Sequence, residues 1–388
     1  MEVKPGYKQT EIGVIPEDWE IVPLSSCCDV RDGTHESPKY HSNGIPLVTS
    51  KNIVDGKLDL KDVSFISELD ADMIDARSKV DTGDLLLSMI GTVGNVTKVD
   101  VADRFCIKNV ALIKPRQVTG DYLLHLLRSD YFSMTIQSKL AGGIQKFISL
   151  GMLRSLYISI MSDHEQNKIS ETLSDIDLLI TTLEKLIEKK KLIKQGVMQE
   201  LLTGKRRLPG FSGEWETKRL GTFCAHITTG RKDVNEGNPN GKYPFYTCSR
   251  AVTFSDHYSF DTEAILIAGN GDVGTLHYFT GKFEAYQRTY VLSGFNVNAR
   301  YLVHYLNMNL VPTLCDSKIG TSIPYIKIGD LINMPVLVPM DDEELEYITS
   351  VLDDIESDID MLELQLYKQV LLKQAMMQEL LTGRIRLI

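Results

Sequence analysis

The chain lacks any apolar run near the roughly 18 residues that a membrane-spanning helix needs, and Met1 to Trp19 lack the basic-then-apolar layout of a secretory leader. Tryptophan is scarce, with Trp19 and Trp215 alone. Six cysteines, including the adjacent Cys27 and Cys28, show no Cys-x-x-Cys spacing, which argues against a zinc site or a disulfide framework. Buried, reduced thiols in a soluble cytoplasmic protein are the expectation.

Catalytic signatures are missing as well. Gly269 to Gly274 has the glycine spacing of a phosphate loop, but Thr275 stands where lysine belongs. His164-Glu165 continues as Gln166-Asn167-Lys168 rather than closing a zinc-protease motif. Asn238-Pro239-Asn240 is the nearest approach to the Asn/Asp-Pro-Pro-Tyr/Phe tetrapeptide of adenine amino-methyltransferases, and it fails. No metal or enzymatic activity is expected of the chain itself.

Basic charge is not in excess either. The net charge is −10, whereas phosphate binding wants a basic face. The acid is unevenly placed, however. Residues 20–156 hold 16 Lys+Arg against 17 Asp+Glu, residues 211–335 hold 11 of each, and 336–388 hold 4 against 12. The body of the chain is near neutral, so charge neither excludes nor supports a nucleic-acid partner.

What the chain does have is length and internal repetition. Its 388 residues exceed a single core, and 43% hydrophobic residues suffice to fill two or three. Met198-Gln-Glu-Leu-Leu-Thr-Gly204 recurs unchanged as Met377 to Gly383, an offset of 179. The same offset relates Tyr122-Leu-Leu-His125-Leu-Leu127 to Tyr301-Leu-Val-His304-Tyr-Leu306, and Leu173-Ser-Asp-Ile176 to Leu352-Asp-Asp-Ile355. Earlier in each copy the offset is wider. Trp19-Glu20 matches Trp215-Glu216 at 196, and Pro46-Leu-Val-Thr49 resembles Pro244-Phe-Tyr-Thr247. The first copy therefore carries 17 to 19 extra residues within about 50–82. Two copies are too few for a solenoid and fit a pseudo-twofold pair of domains.

Each copy ends in a long helical pattern. Ile169, Leu173, Ile176, Ile180, Leu183 and Ile187 step by 4 and 3 in a heptad seam, and Ile348, Leu352, Ile355, Ile359, Leu362 and Leu366 repeat it. Gly204 and Gly383 sit where a C-terminal glycine cap belongs. A helix of ~38–40 residues is implied, about 60 Å long at 1.5 Å per residue. Each seam needs a partner, and an antiparallel intramolecular pair supplies it.

The segments before the helices read as mixed strand and loop. Gly83-Asp-Leu-Leu-Leu-Ser-Met-Ile-Gly91-Thr-Val-Gly94 looks like a buried strand entering a glycine turn, with Ala264 to Gly274 as counterpart. Asn109 to Ile113 and Thr289 to Leu292 read as further strands, and Tyr122–Leu127 and Tyr301–Leu306 as short helices whose His125 and His304 pack. Two loops gather cations, hydroxyls and an aromatic ring: Arg31-Asp-Gly-Thr34-His35-Glu-Ser-Pro-Lys39-Tyr40, and Thr228-Thr229-Gly-Arg231-Lys232. Arg and Lys suit phosphates and guanine, and Asn or Gln suits adenine. Glycine turns expose N–H groups that suit phosphate oxygens. With these loops we group Lys51, Thr92, Asn95 and Lys146 in the first copy as nucleic-acid candidates. Arg250, Asn270, Arg288, Thr321, Tyr325 and Lys327 are the candidates in the second.

At this point the pattern resembles the specificity subunit of type I restriction-modification systems. The resemblance is carried by Ile15-Pro-Glu-Asp-Trp19 with Leu24, by Met-Gln-x-Leu-Leu-Thr-Gly at both helix ends, and by Leu208-Pro-Gly-Phe-Ser-Gly-Glu-Trp215. Asp32-Gly-Thr-His35 and Gly83-Asp-Leu-Leu also look like pieces of one recognition-domain type. The second domain lacks the Asp-Gly-Thr-His run. The resemblance implies an α+β fold, with two mixed α/β target-recognition domains (20–156 and 209–335) separated by two long antiparallel helices (157–208 and 336–388). Those helices would form an intramolecular coiled coil, with 1–19 closing on them.

It further implies a bipartite double-stranded DNA target, one half-site per domain, with the helices as ruler and docking surface. The partners would be two modification subunits, which bind S-adenosylmethionine and methylate adenine N6, and motor-nuclease restriction subunits using ATP and Mg. No cofactor would lie in this chain. A stand-alone DNA-binding regulator would normally use a short helix-turn-helix instead. A coiled-coil scaffold would explain the helices but not two divergent, loop-rich domains.

Overall fold

The computed structural model describes residues 4–141, 147–315 and 325–388. It divides into two units, residues 1–182 with 366–388, and residues 183–365. Each unit therefore holds one mixed domain, part of the central helix Asp163–Leu201 and part of the C-terminal helix Asp342–Leu380.

In the first unit the chain opens with the hairpin Tyr7–Thr10 and Gly13–Pro16. The strand Glu20–Pro23 pairs with Tyr157–Ile160 and closes the domain just before the central helix begins. Between them lies an antiparallel four-stranded sheet, ordered Val96–Lys98, Leu85–Ser88, Val110–Pro115, Cys28–Asp32. Leu85, Leu86, Leu87 and Ser88 are all buried, because both faces of this strand are covered. A second sheet of three strands, Cys106–Ile107, Ile45–Val48 and Ser64–Ile66, stands beside it, followed by the helix Glu68–Ser78 with Ser67 as its cap.

In the second unit one six-stranded sheet replaces those two. Its order is Cys224–Thr229, Thr289–Phe295, Phe260–Ala268, Leu276–Ala285, Tyr243–Tyr246, Thr253–Ser255. The ten-residue strand Leu276–Ala285 spans what is split in the first unit into Val96–Lys98 and Cys106–Ile107. The offset between copies is 180 at Val96/Leu276 and 178 at Ile107/Ala285, so the first copy has two more residues here, and Val99 to Phe105 leave the sheet.

The insertion falls where the repeat places it. Val48 and Tyr246 take the same sheet position at an offset of 198, and Leu85 and Ile265 at 180, leaving 18 extra residues in the first copy. They build the small hairpin Ile53–Leu58 and the helix Glu68–Ser78, on either side of the strand Ser64–Ile66, which pairs with Ile45–Val48 as Thr253–Ser255 pairs with Tyr243–Tyr246.

Both long helices are 39 residues, 179 apart at each end. Gly204 and Gly383 follow at φ 67° and 69°, each donating its N–H to a carbonyl of the last turn, Leu201 or Leu380. A side chain with a Cβ would be strained there. In the first unit Ile169 and Leu173 share a core with Leu380 and Leu381, so the start of one helix lies beside the end of the other. In the second unit Met198, Leu201 and Leu202 pack with Ile348 and Leu352 in the same antiparallel sense. Ile176, Leu183, Ile187 and Ile359 are also buried, whereas Ile180, Ile355, Leu362 and Leu366 are half-buried. The seam thus packs partly on the mixed domain of its own unit and partly on the other helix.

One short-helix expectation is corrected. Tyr122–Leu127 does lie in a short helix, Gly120–Leu127, but Tyr301–Leu306 lies in Ala299–Cys315, 17 residues long. In the first copy Ser129 breaks the run. Its Oγ donates to Leu126 O and accepts from Phe132 N, starting a new helix, Asp130–Ala141. Met308 cannot make such a break, and the helix continues.

Each unit also holds a buried ion pair next to its tryptophan. In the first, Glu165 accepts from Arg386 Nε at 2.5 Å and from Trp19 Nε1 at 3.1 Å, with the Arg386 guanidinium over the Trp19 ring. In the second, Glu344 accepts from Arg207 Nε at 2.5 Å and Nη2 at 2.6 Å, with Arg207 over Trp215.

Candidate nucleic-acid interface

Register places the candidate loops together. In the first domain Ser88 pairs with Val110 and Ala111 with Asp32. The loop after Asp32, the corner before Val110 and the glycine turn after Ser88 therefore leave the same end of one sheet. In the second domain Thr229 pairs with Tyr290 and Ala268 with Thr289, so the loops after Thr229, before Thr289 and after Ala268 share one sheet end as well.

The exits are fixed by backbone crowding. Gly33 N donates to Val110 O and Gly230 N to Thr289 O. A Cβ on Gly33 would stand 2.2 Å from Ile107 O, and one on Gly230 would stand 1.8 Å from Ala285 O. Only glycine fits at either crossing. The glycine turns also match: Gly94 N donates to Ser88 O and Gly274 N to Ala268 O, each at 3.0 Å, with Gly91, Gly94, Gly271 and Gly274 at positive φ.

The candidates separate by their partners. Arg31 is held inward by Asp29 and by the Arg77 carbonyl. His35 sits between Asn109 Oδ1 at 2.8 Å and Asp32 Oδ2 at 2.7 Å. These hydrogen bonds, that to Asn109 first, raise its pKa above the usual histidine value. Arg77 from the inserted helix pairs with Asp32 behind it. Thr34 bridges to Lys108, whose Nζ donates to Ser37 and Tyr40. Lys39 is exposed with no ion-pair partner among the described residues. Lys51 pairs with Asp62, Asn95 donates to Ile53 O, and Thr92 caps the glycine turn with its carbonyl.

In the second domain Lys232 pairs with Glu236, whereas Arg231 and Arg288 are exposed. Thr229 closes its strand, Asn270 lies in the glycine turn, and Arg250 is tied by its N–H to Asp272. Lys327 lies over the ring of the half-exposed Tyr325. Lys146 and Thr321 fall outside the described residues. Sequence reasoning missed Lys108, Asn109 and Gln287 at the corners between strands. Their signal was the corner's place in the repeat, blurred by a one-residue difference between copies.

The repeated histidines pack. His125 is buried with Nε2 on Ser174 Oγ, and burial lowers its pKa to about 4. His304 is buried with Nε2 on Asp353, and burial lowers its pKa against the pull of that carboxylate. His304, Asp353 and Glu356 lie within metal-ligand reach, but Arg300 and Lys194 already pair the two carboxylates. This is an ion-pair network rather than a metal cage. Cys27, Cys28, Cys106 and Cys224 are buried free thiols, and Cys248 is only half-buried.

Two divergent mixed domains, each presenting loops at one sheet end and each built onto long helices, define a duplicated two-domain chain. The family model for the type I restriction modification DNA specificity domain matches residues 16–195 and 212–372, and the chain belongs to that family. It is 35% identical over 175 residues to the type I restriction enzyme EcoDI specificity subunit of Escherichia coli, covering 43% of this chain and 39% of that one. It is 30% identical over 234 residues to the putative MjaX specificity subunit of Methanocaldococcus jannaschii, covering 55% of each. The matched stretches thus span about four to six tenths of those relatives. The fold resembles the type I S subunit of M. genitalium, with a TM-score of 0.65, 14% identity and 98% of both chains covered.

Proposed function

We propose that the chain recognises a bipartite DNA sequence for a type I restriction-modification complex in the cytoplasm, one half-site per mixed domain. The observation that carries this reading is the equivalent sheet end in both domains, where cations, hydroxyls and amides gather on loops of different sequence. Different loops on one scaffold suit two different half-sites. Near-neutral domains leave affinity to a few phosphate contacts and discrimination to base contacts.

The chemistry then belongs to partners: two modification subunits carrying S-adenosylmethionine for adenine N6 methylation, and restriction subunits using ATP and Mg. The long helices offer surface for such partners. Leu178, Tyr367, Leu371 and Leu372 are exposed in the first unit, as are Leu192, Ile193, Met361 and Leu364 in the second. Such apolar side chains on solvated helices suit packing against another chain. No helix among the described residues is long and apolar enough to cross a membrane.

The reading is tested with the full chain in its complex. Methylome sequencing should return a two-part motif, and replacing residues 20–156 with those of a relative should change one half and leave the other. Lys39→Ala and Arg231→Ala should each lower the salt slope of DNA binding by about one and weaken all sequences alike. A motif changed in both halves, or variants with unaltered salt slopes, would refute it.

A further inference from the structure

The corner that precedes the strand Val110–Pro115 in the first domain, or Thr289–Phe295 in the second, carries a carboxamide in both. Hydrogen bonding fixes the equivalence better than sequence does. Lys108 N donates to Val48 O as Tyr286 N donates to Tyr246 O. Thr34 bridges Lys108 in parallel as Lys232 bridges Tyr286. Asn109 N then donates to Thr34 O, at 3.2 Å, and Gln287 N donates to Lys232 O, at 3.0 Å. The second copy has one more residue in the corner, Arg288, and one more after its exit glycine, Arg231, which together keep the match.

The second corner does not need an amide for its own turn. Asn109 stands at φ 54°, a left-handed conformation that asparagine tolerates, which alone would explain it. Gln287 is not among the positive-φ residues, so that explanation fails for the second corner. Both side chains reach the solvent side of the sheet end, Gln287 exposed and Asn109 half-exposed.

Each amide is oriented by one polar neighbour and keeps a donor and an acceptor. Asn109 Oδ1 accepts from His35 at 2.8 Å, and His35 is braced by Asp32, itself paired with Arg77. A carbonyl oxygen has two lone pairs, so one remains, and the Asn109 NH₂ takes no partner among the described residues. Gln287 Nε2 donates one N–H to Asp233 Oδ2 at 3.4 Å and keeps the second, with Oε1 free to accept. One donor beside one acceptor in a planar amide matches the N7 and N6–H edge of adenine in the major groove.

We propose that Asn109 and Gln287 are the matching base-reading carboxamides of the two domains, each taking the N7 and N6–H of an adenine, with His35 and Asp233 as positioning residues. This rests on the reading of the chain as a DNA-recognition chain. It deepens that reading by naming the atoms that discriminate.

The test uses the complete system in cells, with methylome sequencing, and the purified complex with duplexes carrying each base at every motif position. Asn109→Ala should relax one A·T pair of the first half-site and lower cognate affinity about tenfold to a hundredfold, leaving other duplexes and the second half-site unchanged. Gln287→Ala should do the same in the second half-site alone. Asn109→Asp keeps the left-handed corner and the shape while removing the donor, so it separates lost reading from lost folding; it should relax the same base pair. His35→Gln should weaken that discrimination at the same position without moving it to another. An unchanged motif, relaxation at a G·C pair, or an equal loss on all duplexes would overturn the assignment. A wild-type complex without a two-part motif would instead overturn the underlying reading.

Discussion

The two units solve one folding problem with different detail, and the difference separates what the scaffold requires from what it tolerates. Both set a buried glutamate at the start of a long helix against an arginine beyond the end of the other, which lies over a tryptophan ring. In the first unit Trp19 Nε1 donates to Glu165, whereas Trp215 Nε1 has no partner. Arg386 also pairs with Asp18, while Arg207 donates to Gly213 O. The ion pair is common to both, and its surroundings are not.

Breaking it should give the largest effect. Arg207→Ala leaves Glu344 buried without a side-chain partner and should cost about 3–5 kcal/mol. Arg386→Ala leaves Glu165 the Trp19 hydrogen bond and should cost less. With one tryptophan in each unit, urea unfolding of Trp19→Phe and Trp215→Phe backgrounds reads the units separately. Equal losses would show that the indole contributes nothing.

The seam offers the next contrast. Leu173→Ala and Leu352→Ala remove fully buried side chains and should cost about 2–5 kcal/mol each. Ile180→Ala, at a half-buried position, should cost less than either in the same denaturation experiment. A larger loss at Ile180 would place the stability of the helix pair at its middle.

The buried histidines should separate the units by pH. His125 has its pKa lowered to about 4 by burial, so the folded state stays neutral while the unfolded chain takes up a proton near pH 6.5. That difference favours unfolding as pH falls, and stability should drop between pH 6.5 and 4 by about 3 kcal/mol. His304 has Asp353 against its ring, which opposes the effect of burial, so its share of the drop should be smaller. His125→Gln should flatten the acid limb more than His304→Gln in urea midpoints measured across that range. The reverse order would mean that Asp353 does not offset burial.

The smallest expected effect is at the ion pair of Lys373 with Asp177, at 2.5 Å and partly exposed. Lys373→Ala should change stability by about 0.2–1 kcal/mol, and less at high salt.

Much of this architecture was legible in the sequence because it is periodic. The heptad steps from Ile169 and Ile348, the capping glycines and the duplicated glycine turns are local patterns, and the structure places them as read. The 18-residue insertion was legible as a change of offset. What escaped depends on contacts distant in the chain. Glu165 with Arg386 and Glu344 with Arg207 share the 179 offset, yet each pair joins residues 221 or 137 apart in the chain, with no local pattern to mark it. The corner amides escaped because a single added residue, Arg288, shifts the alignment where it matters. The length of Ala299–Cys315 escaped because it turns on Ser129, a single hydroxyl in the other copy.

The glycine exits have a consequence for how such a chain can change. Each candidate loop departs from a socket whose nearest wall is main chain, the carbonyl of Ile107 at Gly33 and that of Ala285 at Gly230. From there 11 residues (34–44) reach the strand Ile45–Val48 in one domain, and 12 (231–242) reach Tyr243–Tyr246 in the other. Since adding a residue to a loop changes its closure entropy only slightly, new loops can be plugged into the same socket while the sheet beneath stays as it is. The loops of such a molecule are replaceable stock, and the glycine is the fitting that makes them so.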